Sequence, residues 1–236
     1  MRPDALLPAL LRSDPARPRI TCYDDGTGER IELSARVLAN WVAKAANLLQ
    51  DEFEVGPGSV VALDLPPHWR TLYWALAVWR TGAAVLLPPL GEATSADVAV
   101  TTGDRAAAGA DSWGGAAVIA VTLAALARRS PVALPAGVLD EAADLATFPD
   151  VVEPFDEASD DAPALIVGGE HAAYGMVVVT GGTPGERVHT ATTDAGDFLR
   201  LALRTYAADG SLVLSIAPDP ARLPARLDAE GVSRST

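Results

Sequence analysis

The stretch that decides the fold runs from Gly56 to Pro89 and reads GPGSVVALDLPPHWRTLYWALAVWRTGAAVLLPP. The apolar run SVVALDL predicts a buried strand, and AAVLLP predicts another after Gly82. Between them, residues Trp69 to Arg80 are apolar on nearly every side, which is typical of a helix held between two layers. Strand, helix and strand with tight connections indicate parallel strands and a right-handed crossover. We therefore predict an α/β fold, a layered, mostly parallel sheet flanked by helices.

The rest of the chain continues this pattern. RITCYDD and ERIEL predict two strands joined by a hairpin turn, and Ser34 is placed to cap an amphipathic helix. Further strands are predicted at ADVAVTT, AAVIAV, PALIVGG, GMVVVTGG and GSLVLSIAP, and further helices at LAALARR, 141–147 and 193–206. We predict a single α/β domain over residues 1–220 and a C-terminal tail over 221–236 with at most a short frayed helix.

Composition limits the classes of function. The 236 residues are 49% hydrophobic and 21% charged, which suits a sizeable core. The net charge of −13 argues against a basic face for nucleic acid or an anionic membrane, but not against a small anion in a local pocket. One cysteine, Cys22, excludes an internal disulfide, so we expect a reducing, cytoplasmic location. The histidines and the cysteine lack metal-ligand spacing, so we expect no metal site.

A glycine-rich stretch, VVVTGGTPGERVHT, covers residues 177–190. Glycines let consecutive backbone N–H groups face phosphate oxygens, and a hydroxyl and a cation complete such a site. The candidate phosphate-binding residues are Thr180, Gly181, Gly182, Thr183, Gly185 and Arg187. Pro184 removes one backbone donor. The alternative interpretation is a tight turn that leads from a strand towards the predicted helix. We assign no catalytic residue.

Several short motifs occur in an order known from one enzyme superfamily. They are NLL at 47–49, VGPGSVVAL at 55–63, LP at 65–66 and RTGA at 80–83, followed by Pro88. This order resembles the N-terminal part of the AMP-dependent synthetase/ligase superfamily, whose acyl-adenylate-forming members include the acyl-CoA synthetases. The resemblance implies the α/β fold of their N-terminal subdomain. Its content is mainly structural, because it consists of glycines and prolines at turns and apolar faces between layers.

The superfamily's phosphate loop, T-S-G-[ST]-T-G-x-P-K-G, has two similar stretches here. In the first placement, residues 180–187, Gly182, Thr183 and Gly185 match, the Pro-Lys step is missing, and Arg187 lies near the lysine position. In the second placement, residues 168–175, Gly168 and Gly169 form a shrunken loop between two strands. Both imply a degenerate phosphate loop, and the choice between them stays open. ATP or AMP is implied as a ligand by the resemblance alone.

Other catalytic motifs of the superfamily have no counterpart in this sequence. We find no Y-G-x-T-E segment, no ribose-binding aspartate motif and no C-terminal catalytic lysine, and the single lysine, Lys44, lies on the first amphipathic helix. We therefore expect a truncated relative without adenylation activity that acts as a binding or interaction module for a small carboxylate, a nucleotide or a protein partner. The alternative is half of a split acyl-CoA ligase that needs a partner chain for ATP-dependent carboxylate activation.

A truncated sheet leaves apolar faces and a bare strand edge, so we expect a homodimer. An unrelated activity such as hydrolysis has little support, because the sequence has no G-x-S-x-G elbow and no convincing Ser, His and Asp set. We interpret His68 as a polar residue flanking a helix, whereas His189 follows Gly185 by four residues and is a candidate to line a site there.

Overall fold

The computed structural model describes residues 1–88, 95–109 and 113–236, which form two β-sheets with helices packed on them. The strands are β1 (Pro18–Asp24), β2 (Glu29–Ser34), β3 (Val60–Asp64), β4 (Ala84–Leu87), β5 (Val98–Thr102), β6 (Ala117–Val121), β7 (Leu139–Asp140), β8 (Pro163–Val167), β9 (Glu170–Ala173), β10 (Arg187–Thr190), β11 (Ser211–Ile216) and β12 (Arg234–Ser235). The helices are α1 (Leu6–Ser13), α2 (Ala35–Phe53), α3 (Trp69–Arg80), α4 (Gly103–Ala108), α5 (Glu141–Asp144), α6 (Ala195–Ala207) and α7 (Leu223–Ala229).

The larger sheet contains the stretch that decides the fold. Its strand order is β7-β6-β5-β3-β4-β8-β9, and every neighbouring pair is parallel except β8 and β9. Strands β3 and β4 pair in parallel, with Val61 opposite Val85, and α3 connects them as predicted. All residues of α3 from Trp69 to Trp79 are buried, so the helix is held between layers. The prediction of a mostly parallel α/β fold is confirmed.

The smaller sheet joins the two ends of the chain. Its order is β12-β10-β11-β1-β2, and only the predicted hairpin of β1 and β2 is antiparallel. Helix α2 follows this hairpin, and the Ser34 hydroxyl accepts a hydrogen bond from the Val37 N–H, which caps the helix as predicted. Most buried apolar side chains of α2, α3, α6 and the two sheets belong to one hydrophobic core. Two small clusters are separate from it, one of Ala62, Leu86 and Ala99 and one of Ala106, Val118 and Ala120.

Two predicted elements are wrong. The segment LAALARR is a turn rather than a helix, since so short a run has too few hydrogen bonds to offset nucleation without a partner. The run GMVVVTGG is not a strand. The N–H groups of Met176 and Val177 both turn back to the Ala173 carbonyl, and Val177 and Val178 are buried beside the sheet. A short apolar run has no periodicity that separates a strand from a covering loop.

The C-terminal tail is more ordered than a frayed helix. It forms α7 and then β12, which adds a parallel strand to the smaller sheet with Arg234 opposite Val188 and Ser235 opposite His189. The division of the chain into a domain over 1–220 and a tail over 221–236 stays a prediction.

Candidate functional site

A cavity of about 970 Å³ lies between the two sheets. One wall is the β8–β9 hairpin at the edge of the larger sheet, and the opposite wall is the end of β10 together with α6. Leu165, Val177 and Leu201 give the cavity an apolar lining. Met176 and Val179 also line the cavity, and 77% and 64% of their surface is exposed.

Two arginines on α6 bring positive charge to this cavity. Arg200 and Arg204 lie one helical turn apart and both line it. Arg200 makes one long ion pair of 3.5 Å with Asp197, and Arg204 donates to the Gly181 carbonyl at 3.4 Å. Neither contact is short enough to hold a guanidinium firmly. The cavity therefore combines apolar walls with two guanidiniums, those of Arg200 and Arg204, and two carboxylates, those of Glu170 and Asp197.

The second loop placement forms one wall of this cavity. Gly168 and Gly169, with φ of 59° and 87°, make the two-residue turn of the β8–β9 hairpin, a conformation that glycine adopts without strain. The flanking residues Val167 and Glu170 line the cavity. Strand, glycine turn and strand are thus arranged as the second placement predicts. Which placement corresponds to the superfamily's phosphate loop stays open.

The first placement lies beside the cavity rather than in its lining. Gly181 and Gly185 have φ of 114° and 72°. The Gly185 N–H donates to the Ala208 carbonyl at 2.8 Å, and the Glu186 N–H donates to the Thr183 carbonyl at 3.2 Å. Residues 180–185 lead into strand β10 and not into a helix. None of the six candidate phosphate-binding residues is among the side chains that line the cavity.

Arg187, the candidate cation, makes its side-chain hydrogen bonds outside the glycine-rich stretch. Its guanidinium pairs with Glu230 and also donates to Thr21 Oγ1 at 2.9 Å and Ser211 Oγ at 3.2 Å. Burial alone would raise the pKa of Glu230, but hydrogen bonds from Tyr23 and the arginines hold that pKa below its ordinary value. Sequence inspection missed this pair because the two residues are 43 positions apart.

A smaller cavity of about 300 Å³ opens at the carboxyl ends of β3, β4 and β8. Here Arg105 pairs with the buried carboxylate of Asp64, which also accepts a hydrogen bond of 3.1 Å from Thr101 Oγ1. Val167 lines both cavities, so the two adjoin. Sequence analysis did not single out Asp64 or Arg105, although their position after parallel strands is a signal that could have been used.

The remaining polar residues of interest have structural partners. The Lys44 ammonium donates to the carbonyls of Ala146 and Phe148. His68 caps α3, where its ring accepts the Arg70 N–H at 3.2 Å. His189 is buried between Ser215 and Ser235, and burial lowers its pKa.

The described residues hold neither a metal-ligand cluster nor a membrane-spanning helix. Among them, no three His, Cys, Asp or Glu side chains are grouped so that they could hold a metal ion. Helices with the length and apolar character needed to cross a bilayer are not found in those residues either.

Comparison with curated proteins identifies one close relative. A TIGR03089 family protein of Mycobacterium tuberculosis is 39% identical over 242 residues, covering 98% of this chain and 96% of that protein. No protein-family model matches the chain.

Solved structures show the same fold. An acetoacetyl-CoA synthetase from Streptomyces lividans superposes with a TM-score of 0.77 at 18% identity, covering 100% of this chain and 42% of that one. A Brucella canis acyl-CoA synthetase gives a TM-score of 0.76 at 17% identity, with 100% and 47% covered. The N-terminal domain of FACL13 from Mycobacterium tuberculosis superposes with a TM-score of 0.72 at 12% sequence identity. The alignment covers 100% of this chain and 62% of that one.

This chain is much shorter than the proteins it superposes on, which limits what the superpositions show about it. The chain spans about half the length of the acyl-CoA synthetase structures, 48% in the case of a Mycobacterium tuberculosis fatty acyl CoA synthetase. At such low sequence identity the superpositions establish the fold alone. The fold is that of the N-terminal region of acyl-CoA synthetases, as the sequence motifs predict. By its identity and near-complete overlap with the curated relative, the chain belongs to the TIGR03089 family.

Proposed function

We propose that this protein is a binding or interaction module built on an acyl-CoA synthetase N-terminal fold, and that it does not form acyl adenylates. The observation that carries the proposal is the position of Arg187. Adenylation must stabilise negative charge that develops on phosphorus, which needs positioned cations. Arg187 is instead held by Glu230 in an ion pair whose side chains are 17% and 10% exposed.

The glycine-rich stretch also fits a nucleotide phosphate poorly. Its Gly185 N–H is used within the fold, and Pro184 has no N–H to offer. ATP and AMP are therefore not assigned as ligands of residues 180–187. Lys44 supports the same proposal, since its ammonium is already bonded to two backbone carbonyls.

The cavity between the sheets is the best-supported binding region. Its walls are largely apolar, Met176 and Val179 contribute exposed apolar side chains, and Arg200 and Arg204 lie among the carboxylates of Glu170 and Asp197. Such a cavity suits a small, largely apolar carboxylate that pairs with one of the arginines, or an apolar protein segment. A cytoplasmic location and a homodimer remain part of the proposal.

Pyrophosphate exchange tests the absence of adenylation. Purified protein is incubated with ATP, Mg²⁺, labelled pyrophosphate and a panel of short- to long-chain carboxylic acids, beside a full-length acyl-CoA synthetase as positive control. We expect exchange at the level of the protein-free blank. Exchange above that level with any acid would overturn the proposal. Thermal shift with ATP, AMP and the free acids measures binding independently of turnover.

The second candidate function is one half of a two-chain acid ligase. The observation that favours it is that similar acyl-CoA synthetase structures are about twice as long as this chain. A second polypeptide would then supply the adenine site and the catalytic lysine. The test is affinity purification of the tagged protein from its native cells followed by pyrophosphate exchange on the eluate. Exchange that disappears when co-eluting chains are stripped away would favour this candidate over the first.

A further inference from the structure

The C-terminal part of the chain is held on the smaller sheet by polar contacts. We define the exchange segment as residues 223–236, which contain α7 and β12, and the hinge as residues 217–222, APDPAR, which connect it to β11. The structure describes all of residues 217–236, and none of them is buried. The exchange segment therefore owes its position to polar contacts rather than to burial in the hydrophobic core.

Ion pairs of opposite sense bind α7 to the smaller sheet. Arg226 donates to Asp25 at 2.5 Å, and their side chains are only 10% and 11% exposed. Glu230, about one helical turn further on, pairs with Arg187 and, at 3.0 Å, with Arg30. We call the surface formed by Asp25, Arg30 and Arg187 the dock. The exchange segment presents a cation and then an anion, and the dock presents the opposite charges in the matching order.

Strand β12 fixes the register of the exchange segment. It pairs in parallel with the edge of β10, where the Ser233 N–H donates to the Arg187 carbonyl at 2.9 Å and the Thr236 N–H to the His189 carbonyl at 3.0 Å. Ser235 Oγ lies 2.8 Å from His189 Nδ1. These bonds depend on the sequence of the segment and not on the chain to which it belongs, so a second copy can supply them equally well.

The hinge has a strained backbone. Ala217 has a φ of 45°, in the left-handed region that disfavours a residue with a Cβ. Pro218 follows it, and a residue before proline prefers an extended conformation, so the strain has two causes. In the closed chain this conformation lies where β11 ends and the chain turns towards its own dock. An open hinge lets Ala217 become extended, and short hinges under strain favour exchange of the element that follows them.

We propose that the dock of one copy binds the exchange segment of a second copy, so that two chains form a dimer by reciprocal exchange. The inference rests on the homodimer in the proposed function and names the contact that forms it. Exchange closes with two-fold symmetry, because each copy donates one segment and receives one. The occupant follows from the dock itself, since the structure shows this segment bound to it with its charges paired.

Hinge strain and effective concentration set the expected affinity. A segment on a short connection competes for its own dock at an effective concentration of about 1 mM. Exchange remakes the ion pairs and the β12 bonds between chains, and it releases the strain of Ala217 in both hinges, which favours the dimer by about 30-fold or more. We therefore expect a dissociation constant on the order of tens of micromolar.

Charge reversal in the full chain tests the proposal. The dock variant carries Asp25→Arg and Arg187→Glu, and the segment variant carries Arg226→Asp and Glu230→Arg. Each variant keeps the net charge of −13, because it reverses one charge of each sign. Alone, either variant sets like charges against each other in the closed chain and in an exchanged dimer. Mixed, the two variants pair opposite charges only when their segments are exchanged.

A third variant, Ala217→Gly, tests the hinge without changing a charge. Glycine adopts the left-handed conformation without strain, so the closed chain gains stability and the dimer loses its advantage. Circular dichroism and thermal unfolding show whether each variant is folded. Analytical ultracentrifugation between about 5 and 500 µM, a range that brackets the expected dissociation constant, measures the association. About 0.15 M salt screens the long-range repulsion between two chains of net charge −13.

We expect the unmodified protein to dimerise at tens of micromolar and each charge variant alone to stay monomeric. An equimolar mixture of the two charge variants should form a one-to-one dimer, and Ala217→Gly should dimerise at least about tenfold more weakly than the unmodified protein. If a charge variant does not fold, Ala217→Gly decides the outcome, because it leaves every ion pair of the dock in place.

Four results would overturn the proposal. They are unmodified protein that is monomeric at every concentration, charge variants that dimerise as strongly as the unmodified protein, a mixture that stays monomeric, and unchanged dimerisation of Ala217→Gly. None of these measurements depends on pyrophosphate exchange, so failure of the inference and failure of the proposed function are told apart.

Discussion

Arg187 and Glu230 form an ion pair that fastens the end of α7 to strand β10, across 43 residues of sequence. Arg30 shares the same carboxylate at 3.0 Å, and the Tyr23 hydroxyl donates to it at 2.5 Å. The sequence suggests Arg187 as a ligand for phosphate, whereas its position makes it part of the anchor for the C-terminal tail.

Replacing Glu230 tests this structural role. Glu230→Ala leaves Arg187 without its carboxylate, so we expect a loss of about 1–3 kcal/mol in the free energy of unfolding. That corresponds to a melting temperature lower by about 2–4 °C for each kcal/mol. Urea unfolding of both single variants and of Arg187→Ala with Glu230→Ala gives the coupling energy. Additive single effects would contradict a direct interaction.

The buried pair of Arg70 and Glu141 predicts a larger loss. Their side chains are 4% and 1% exposed and lie 2.8 Å apart. Glu141→Ala leaves a buried guanidinium unpaired, which costs about 3–5 kcal/mol. The matched control is Arg222→Ala, which removes a pair whose side chains are 73% and 41% exposed and should cost less than about 1 kcal/mol. If denaturant unfolding showed that Glu141→Ala and Arg222→Ala lose the same free energy of unfolding, burial would not determine the cost of breaking an ion pair.

His68 predicts a pH dependence of stability. Burial, assisted by the nearby charge of Arg70, lowers the pKa of this histidine to about 4. An unfolded histidine has a pKa of about 6.5, so between these values the unfolded chain binds more protons than the folded one. Stability is therefore complete above about pH 6.5 and falls as the pH is lowered towards 4, by about 2–4 kcal/mol from this group.

The comparison with His68→Asn isolates that contribution. Asparagine also caps helices, so α3 keeps its N-cap while the titrating ring is lost. We expect the unfolding free energy of the unmodified protein, minus that of His68→Asn, to decrease as the pH falls from about 6.5 towards 4, because only the unmodified protein loses the contribution of the histidine. A difference that stays constant from neutral pH to pH 4 would contradict the assignment.

Gly82 predicts a steric cost at the end of α3. Its φ is +85°, and an added Cβ would lie 2.9 Å from Pro57 Cγ. Gly58 has a similar φ of +94° with nothing within 4 Å. Gly58→Ala should cost about 1–2 kcal/mol from backbone conformation alone. Gly82→Ala should cost roughly a further 1–2 kcal/mol from overpacking. Indistinguishable losses in thermal unfolding would show that Pro57 moves aside freely.

The local elements followed well from the sequence. The strand, helix and strand between Val60 and Leu87, the Ser34 cap and the turn at Gly82 all depend on residues close together in the chain. Burial periodicity and turn chemistry are local properties, so they can be read along the sequence. The failures occurred in short segments without such periodicity, such as Met176 to Val179.

The candidate site was predicted only in part. The glycines at 168–169 do flank the cavity, but Arg200 and Arg204 were not singled out, because on α6 they read as ordinary charges on an exposed side. Their importance depends on the hairpin that faces them. The amide side chains of Asn47 and Gln50 likewise donate hydrogen bonds to backbone carbonyls more than a hundred residues away in the sequence, and such partners cannot be identified from the residues next to them.

By itself, the sequence determined the fold class and the order of most elements. Only the tertiary structure decided that β8 lies beside β4, that Arg187 belongs to Glu230 and that a cavity separates the two sheets. The physical reason is the separation along the chain of the residues that determine each property. Backbone conformation and burial follow from neighbouring residues, whereas the partner of a charge and the shape of a cavity depend on how distant segments pack.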